Sequence, residues 1–160
     1  MSYTPRPGDY GVVKTRGFFG KLIRLGTMSR WNHAVVCVDE HTLVEANPTG
    51  VELSPITKYP LIAWNQHEEL TAAQRTAIVN AAVDLVGRPY GFFDIFVLAL
   101  RILGLKILSN TKLMEYAAKQ YGVICSELVA IAYDKAGIEL VNKPDNLVTP
   151  GDLAERLIYQ

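Results

Sequence analysis

The segment HAVVCVDEHTLVEA, residues 33–46, carries the strongest secondary-structure signal in this chain. Two runs rich in β-branched and other apolar residues, 33–38 and 42–46, flank the polar residues 39–41. Branched side chains favour extended backbone, and two such runs joined by a short polar turn are typical of an antiparallel hairpin. This segment therefore predicts a β-hairpin, around which the other elements are arranged.

The register of this hairpin determines which side chains become neighbours. A turn over residues 39–41 sets Val35 opposite Glu45 and His33 opposite Asn47. Glu45 is then diagonal to His33, at roughly 7–8 Å between backbones, which a long side chain can bridge. A carboxylate against the far imidazole nitrogen would hold the tautomer and support the charged ring. Asn47 is the alternative partner, and we favour Glu45 because an unpaired glutamate on an otherwise apolar strand is unusual.

Short strands and helices are predicted on both sides of the hairpin. Thr71 and Thr149 have the residue type and position of helix N-caps, and Gly87 and Gly137 are predicted helix ends. The predicted strands lie at 10–14, 33–38, 42–46, 51–56 and 62–64, and the predicted helices at 18–25, 72–86, 92–108, 112–119, 125–136 and from 150 onward. Because strands come early and helices late, this order predicts an α+β fold in a single domain spanning 1–160.

The composition excludes several classes of protein. The chain has 160 residues, of which 49% are apolar and 20% charged, as expected for one globular domain. Sixteen basic and 16 acidic residues leave no net charge, so we expect no nucleic-acid partner, because phosphate binding requires a basic surface. Two cysteines do not form a disulfide framework, and the N-terminus shows no signal peptide. We expect cytoplasmic synthesis, with later delivery as a phage protein or secreted effector left open.

The apolar stretch at 92–108 raises the question of a membrane. It is shorter than the roughly 20 residues that a span requires, and Arg101 lies near its middle. Asp94 and Arg101 are seven residues apart, so on a helix they share one narrow polar face. Two interpretations stay open: a buried or half-buried core helix, and a helix that docks on a membrane surface.

Cys125 is the candidate nucleophile. It stands at the predicted start of a helix, where backbone N–H groups lack partners and the helix dipole is positive. Both features stabilise a thiolate, the reactive form of cysteine. His33 can accept the thiol proton and remain beside the sulfur as an imidazolium, with Glu45 supporting its charge. The chain has no CxxC pair of the kind typical of zinc sites, so we expect no metal and no cofactor.

Five short motifs follow one another along the chain: PGDY at 7–10, NHAVV at 32–36, VEA at 44–46, GRPY at 87–90 and ICSELV at 124–129. Together they resemble the permuted papain-like cysteine hydrolases, the YiiX-type branch of the NlpC superfamily, in which a His-bearing hairpin precedes the Cys-bearing helix. The resemblance implies a circularly permuted papain-like fold, with a small antiparallel sheet packed on that helix. It also implies that Cys125 is the nucleophile, His33 the base and Glu45 the orienting carboxylate.

For function, the resemblance implies hydrolysis of an amide bond in a peptide or peptidoglycan-like substrate, through an acyl-enzyme on Cys125. Two alternatives stay open. The first keeps the chemistry and changes the substrate to a lipid or acyl ester, as in a thiol esterase or acyltransferase. The second is a non-catalytic binding module on the same fold.

Several other residues have both a structural and a functional interpretation. Tyr10 and Tyr90 either belong to the core or line the cleft, and Cys37 is expected to be a small packed residue. Glu127 is expected to satisfy the helix start. The backbone N–H of Cys125 is the expected oxyanion donor, because the amides of a first helical turn point into that space.

Overall fold

The computed structural model describes residues 3–15, 29–66, 69–91 and 123–158. The predicted helices at 18–25, 92–108 and 112–119 lie outside the described residues, as does the docking alternative for 92–108. Across the described ranges, no helix combines the length and the apolar character needed to cross a membrane.

Within these ranges, five strands form one antiparallel sheet. They are β1 (Tyr10–Val13), β2 (His33–Cys37), β3 (Thr42–Asn47), β4 (Gly50–Pro55) and β5 (Ala63–Trp64). Their spatial order is β4-β3-β2-β1-β5, so the hairpin occupies the middle of the sheet with β1 beside it. All predicted strands are present, with ends within one residue or so of the predicted bounds.

The hairpin register agrees with the prediction. Val35 pairs with Glu45 across β2 and β3, and the Val38 N–H donates to the Thr42 carbonyl at 2.9 Å where the strands meet the turn. Every residue of β2 is buried, so a slip by one position would move its whole set of side chains to the wrong face.

In the described part of the chain, three α-helices follow the sheet: α1 (Ala72–Asp84), α2 (Cys125–Asp134) and α3 (Pro150–Ile158). Thr71 caps α1 as predicted, since its hydroxyl accepts from the Gln74 N–H at 3.2 Å. Thr149 does the same for α3, accepting from the Asp152 N–H at 3.1 Å. Gly87 and Gly137, at φ 88° and 75°, lie just beyond α1 and α2 in the left-handed region that glycine tolerates.

Helices α1 and α2 end two residues before their predicted ends at 86 and 136. The chain leaves each helix through a tighter turn with i→i+3 hydrogen bonds. The Val86 N–H donates to the Val83 carbonyl at 3.0 Å, and the Ala136 N–H to the Tyr133 carbonyl at 2.9 Å. Such turns are common at helix termini, where a few orphan carbonyls need partners.

The main core lies between the sheet and α2. Ala34 and Val36 of β2 belong to one buried cluster with Leu128 and Val129 of α2. Each fully buried aliphatic side chain contributes roughly 1.5–3 kcal/mol relative to exposure. The protein is therefore an α+β fold in which a small antiparallel sheet packs on the helix that begins at Cys125.

The opposite face of the sheet carries a smaller cluster of Val13, Val35 and Leu43. It is covered by the segment 56–64, which contributes Ile56, Tyr59, Ile62 and Trp64. A Cβ on Gly11 would lie 2.3 Å from Ile62 Cγ2, so the close approach of this segment to β1 requires glycine there. The covering segment thus runs directly over the strands that carry His33 and Glu45.

Candidate active site

Cys125 is the first residue of α2 and is 3% exposed. Two side chains secure this helix start. Glu127 Oε2 accepts from the Ile124 N–H at 3.2 Å, and the Ser126 hydroxyl donates to the Val148 carbonyl at 2.6 Å. The expectation that Glu127 satisfies the helix start is confirmed. The thiol therefore lies on a buried helix start, where the first N–H groups of a helix have no partners within the helix.

His33 is the first residue of β2 and is buried. The start of this strand is tied to the end of β1 by the Asn32 side chain, whose Oδ1 accepts from the Thr15 N–H at 2.7 Å and whose Nδ2 donates to the Thr15 carbonyl at 3.1 Å. Through Nε2 the imidazole hydrogen bonds with Glu45 Oε2 at 2.6 Å, and it lies close enough to Cys125 to interact electrostatically with the sulfur. Because Nε2 is engaged by Glu45, Nδ1 is the nitrogen left for the thiol.

The charge state of His33 follows from these two contacts. Burial opposes protonation of the ring, but hydrogen bonds and charge attraction from Cys125 and Glu45 outweigh it and raise the pKa of His33 to about 9. The imidazolium is thus stabilised between a sulfur and a carboxylate, as a thiolate–imidazolium pair requires.

Glu45 lies on β3 and is completely buried. Its Oε2 accepts from His33 and from the Tyr59 hydroxyl, and its Oε1 accepts from Lys58 Nζ at 2.5 Å. Burial alone would raise the pKa of this carboxyl, but hydrogen bonds from His33, Lys58, Ser54 and Tyr59 hold it well below its usual range. Glu45 is therefore a permanent carboxylate at neutral pH.

Asn47, the alternative partner of His33, is engaged elsewhere. Its Nδ2 donates to Glu52 Oε1 at 2.8 Å. The contact predicted between Glu45 and His33 is present, so the diagonal interpretation of the hairpin holds. The catalytic roles of Cys125, His33 and Glu45 stay predictions at this point.

Lys58 and Tyr59 are the two site residues that the sequence analysis missed. Both belong to the segment after β4, where a short 3-10 turn, Ile56–Lys58, redirects the chain toward the sheet. The Ile56 N–H donates to the His41 carbonyl at 2.8 Å and fixes this turn against the hairpin. Because a buried carboxylate such as that of Glu45 needs hydrogen-bond donors, the sequence does indicate that residues of this kind must exist. Their position in the sequence depends on the path of the turn, which no local pattern reveals.

The two tyrosines with open interpretations have different surroundings. Tyr10 is fully buried, packs edge-to-face on Tyr133 at 5.5 Å and donates to the Leu153 carbonyl at 3.1 Å, so it belongs to the core. Tyr90 is partly buried and forms a β-bridge with Val123, two residues before Cys125. Burial and an electrostatic interaction with Cys125 both raise the pKa of Tyr90.

Cys37 has the packed position that the sequence analysis expected. Its thiol is buried and donates to the Asp39 carbonyl at 3.2 Å. Burial and the negative charges of Asp9 and Asp39 raise the pKa of Cys37 to about 12, with Arg75 acting weakly in the other direction. A thiol in this state is a poor nucleophile.

A cavity of about 660 Å³ lies along the segment that covers the second face of the sheet. Tyr59 belongs both to this cavity and to the hydrogen bonds of Glu45, so the cavity wall and the buried carboxylate share one side chain. The lining is mostly apolar and aromatic: Tyr3, Pro5, Ile56, Tyr59, Pro60, Leu61, Ile62, Ala63, Trp64, Gln66 and Leu157.

Among the described residues, no group of three or more His, Cys, Asp or Glu side chains is arranged to hold a metal ion. What the site offers instead is an imidazole that is hydrogen bonded to a buried carboxylate and lies beside a thiol. No protein-family model matches the chain, and no curated protein shows significant similarity to it.

Proposed function

We propose that this protein is a cysteine-dependent hydrolase that cleaves an amide bond in a peptide or peptidoglycan-like substrate. One observation carries the proposal: His33 hydrogen bonds through Nε2 with the buried Glu45 carboxylate at 2.6 Å, and its ring interacts electrostatically with Cys125. A nucleophile, a base and a group that orients the base, in this order, form the arrangement used for acyl transfer. The resemblance to permuted papain-like hydrolases, which implies the same three roles, adds support.

In the first half of the reaction, the Cys125 thiol transfers its proton to His33 Nδ1, and the thiolate attacks the substrate carbonyl carbon. The backbone N–H of Cys125 stabilises the resulting oxyanion. His33 then returns the proton to the amide nitrogen, the C–N bond breaks and the amine leaves. The acyl group stays on the sulfur as a thioester.

In the second half, His33 takes a proton from a water molecule, whose oxygen attacks the thioester carbon. The C–S bond breaks, the carboxylic acid leaves and Cys125 recovers its proton from His33. Throughout, Glu45 holds the Nε2–H tautomer and supports the imidazolium. Since the carboxylate is buried and permanently charged, it performs this task without rearranging.

The experiment is a thiol-directed test followed by a substrate test. An electrophilic acyl probe should add one acyl group to the intact protein, and peptide mapping should locate it on Cys125. Peptides and peptidoglycan fragments should then be cleaved by the wild type and not by Cys125→Ala. A protein that is labelled on Cys37, or that cleaves substrate equally well as Cys125→Ala, would contradict the proposal.

A second candidate function, hydrolysis or transfer of an acyl ester, is favoured by the cavity beside Tyr59, whose lining includes several aliphatic and aromatic side chains. The chemistry on Cys125 is unchanged, and only the group that leaves differs. Matched amide and ester substrates that share one acyl group separate the two functions. A preference for long apolar acyl groups that disappears in Trp64→Ala would favour the ester, because Trp64 lines the cavity and lies outside the Cys125–His33–Glu45 series.

A further inference from the structure

The two oxygens of the Glu45 carboxylate have different partners. Oε2 accepts from His33 and Tyr59, whereas Oε1 accepts from Lys58 Nζ at 2.5 Å. Each oxygen of a carboxylate has two lone pairs and can accept hydrogen bonds, and here both oxygens do so. Lys58 therefore binds the side of Glu45 that His33 does not.

Lys58 itself is held by three acceptors. Besides Glu45, its ammonium contacts Ser54 Oγ at 3.2 Å and Glu52 Oε1 at 3.3 Å, and 36% of its side chain is exposed. The three contacts match the three donors of an ammonium group and fix its position. Burial works against the charge, but Glu45 and Glu52 outweigh it and raise the pKa of Lys58 above its usual 10.5. Lys58 is thus still cationic at the pH where His33 titrates.

We propose that Lys58 is a positioning residue of the site: its ammonium group fixes the Glu45 carboxylate against His33 and limits how strongly that carboxylate holds the imidazolium proton. The inference rests on the hydrolase function proposed above and deepens it. Without a second cationic partner, the buried carboxylate would stabilise the imidazolium of His33 more strongly, and the ring would release its proton less readily. An ammonium group on the other oxygen partly neutralises the negative charge of the carboxylate. The imidazolium is then stabilised less, so it can return its proton in each half of the reaction.

Among the described residues, the charged and titratable groups around the ring are few, so the effect of Lys58 can be isolated. Glu45 contacts His33 directly, Cys125 interacts with it electrostatically, and the Tyr59 ring lies 5.6 Å from it between ring centroids. Lys58 and Glu52 act through Glu45, and Tyr90 acts through Cys125. Of these, Lys58 is the basic side chain that contacts Glu45 from the sheet-covering segment.

The test replaces Lys58 and follows the protonation of His33 by NMR titration of the imidazole, which needs no substrate. Lys58→Met removes the charge and keeps the stem, Lys58→Gln is a second neutral variant, and Lys58→Arg restores the charge. Lys135→Met is the matched control, because Lys135 is an exposed lysine at the far end of α2. The chain has three histidines, and loss of one signal in His33→Asn assigns the resonance.

We expect the His33 titration to move to higher pH by about half a unit in Lys58→Met and Lys58→Gln, a modest shift because the ammonium is partly solvated. Lys58→Arg and Lys135→Met should titrate like the wild type. The alkaline limb of kcat should move with the titration, while KM stays unchanged. A His33 midpoint that is the same in both neutral variants would overturn the inference. Absence of turnover in the wild type would instead contradict the hydrolase function and leave the titration result interpretable.

Discussion

His33 Nε2 lies 2.6 Å from Glu45 Oε2, although the two residues are 12 positions apart in the sequence. The pairing of Val35 with Glu45 makes this contact possible, because it sets Glu45 diagonal to the first residue of β2. Both side chains are buried, so the interaction is little screened by solvent. The orientation of the imidazole is therefore set by a two-strand register rather than by a flexible loop.

The first prediction concerns the relative importance of His33 and Glu45. His33→Ala should lower kcat/KM by about 10² to 10⁴, because it removes the group that moves the proton. Glu45→Gln should lower kcat/KM by a smaller factor, about tenfold for each unit by which the pKa of His33 falls when the carboxylate is removed. Steady-state kinetics of both variants on one substrate checks the order. A larger loss in Glu45→Gln would mean that the carboxylate does more than orient and charge the ring.

The second prediction concerns the two thiols. With limiting iodoacetamide at about pH 6, Cys125 should be alkylated well before Cys37. The reason is the imidazole beside Cys125 and the pKa of about 12 that burial and the charges of Asp9 and Asp39 give to Cys37. Peptide mapping by mass spectrometry gives the ratio. His33→Ala should slow the labelling of Cys125 and leave that of Cys37 unchanged.

The third prediction is that Cys125→Ala abolishes turnover and leaves the fold intact. The change removes one sulfur at the first position of α2, where Ser126 and Glu127 continue to secure the helix start. We expect a loss of roughly 1 kcal/mol in the free energy of unfolding, within the usual range for one substitution. Urea denaturation with circular dichroism measures it. A loss several times larger would show that the thiol is mainly a packing element.

The fourth prediction concerns stability in acid. The folded-state pKa of Glu45 lies below its ordinary value of 4.5, as burial is outweighed by hydrogen bonds from His33, Lys58, Ser54 and Tyr59. A depressed pKa stabilises the fold above the unfolded-state value and stops doing so as pH falls through the folded-state value. The difference in unfolding free energy between the wild type and Glu45→Gln should therefore be largest near neutral pH and shrink below about pH 4.5.

Urea titrations at a series of pH values measure this difference directly. Glu155→Gln serves as the control, because Glu155 is exposed on α3. Its difference from the wild type should stay small at every pH. If the Glu45→Gln difference remained constant into the acid range, Glu45 would not be the ionised partner of His33 and Lys58.

Local sequence patterns were sufficient for much of the fold. The β-branched run at 33–38 and its partner at 42–46 specified strands, a turn length and hence a register. Thr71 and Thr149 specified helix starts because a hydroxyl at an N-cap satisfies a nearby orphan N–H. Strand geometry left Glu45 and Asn47 as alternatives, and the preference for Glu45, which the His33 contact bears out, came from the need of a glutamate on an apolar strand for a partner.

Other parts of the site depended on the tertiary structure. The sequence did not reveal that Lys58 and Tyr59 both bind Glu45. It also left open whether Tyr10 and Tyr90 belong to the core, and it did not predict that β5 pairs with β1. The physical reason is the range of the forces involved. Caps, turns and strand registers depend on neighbours a few residues away, whereas the partners of a buried charge depend on how distant segments pack and exclude water.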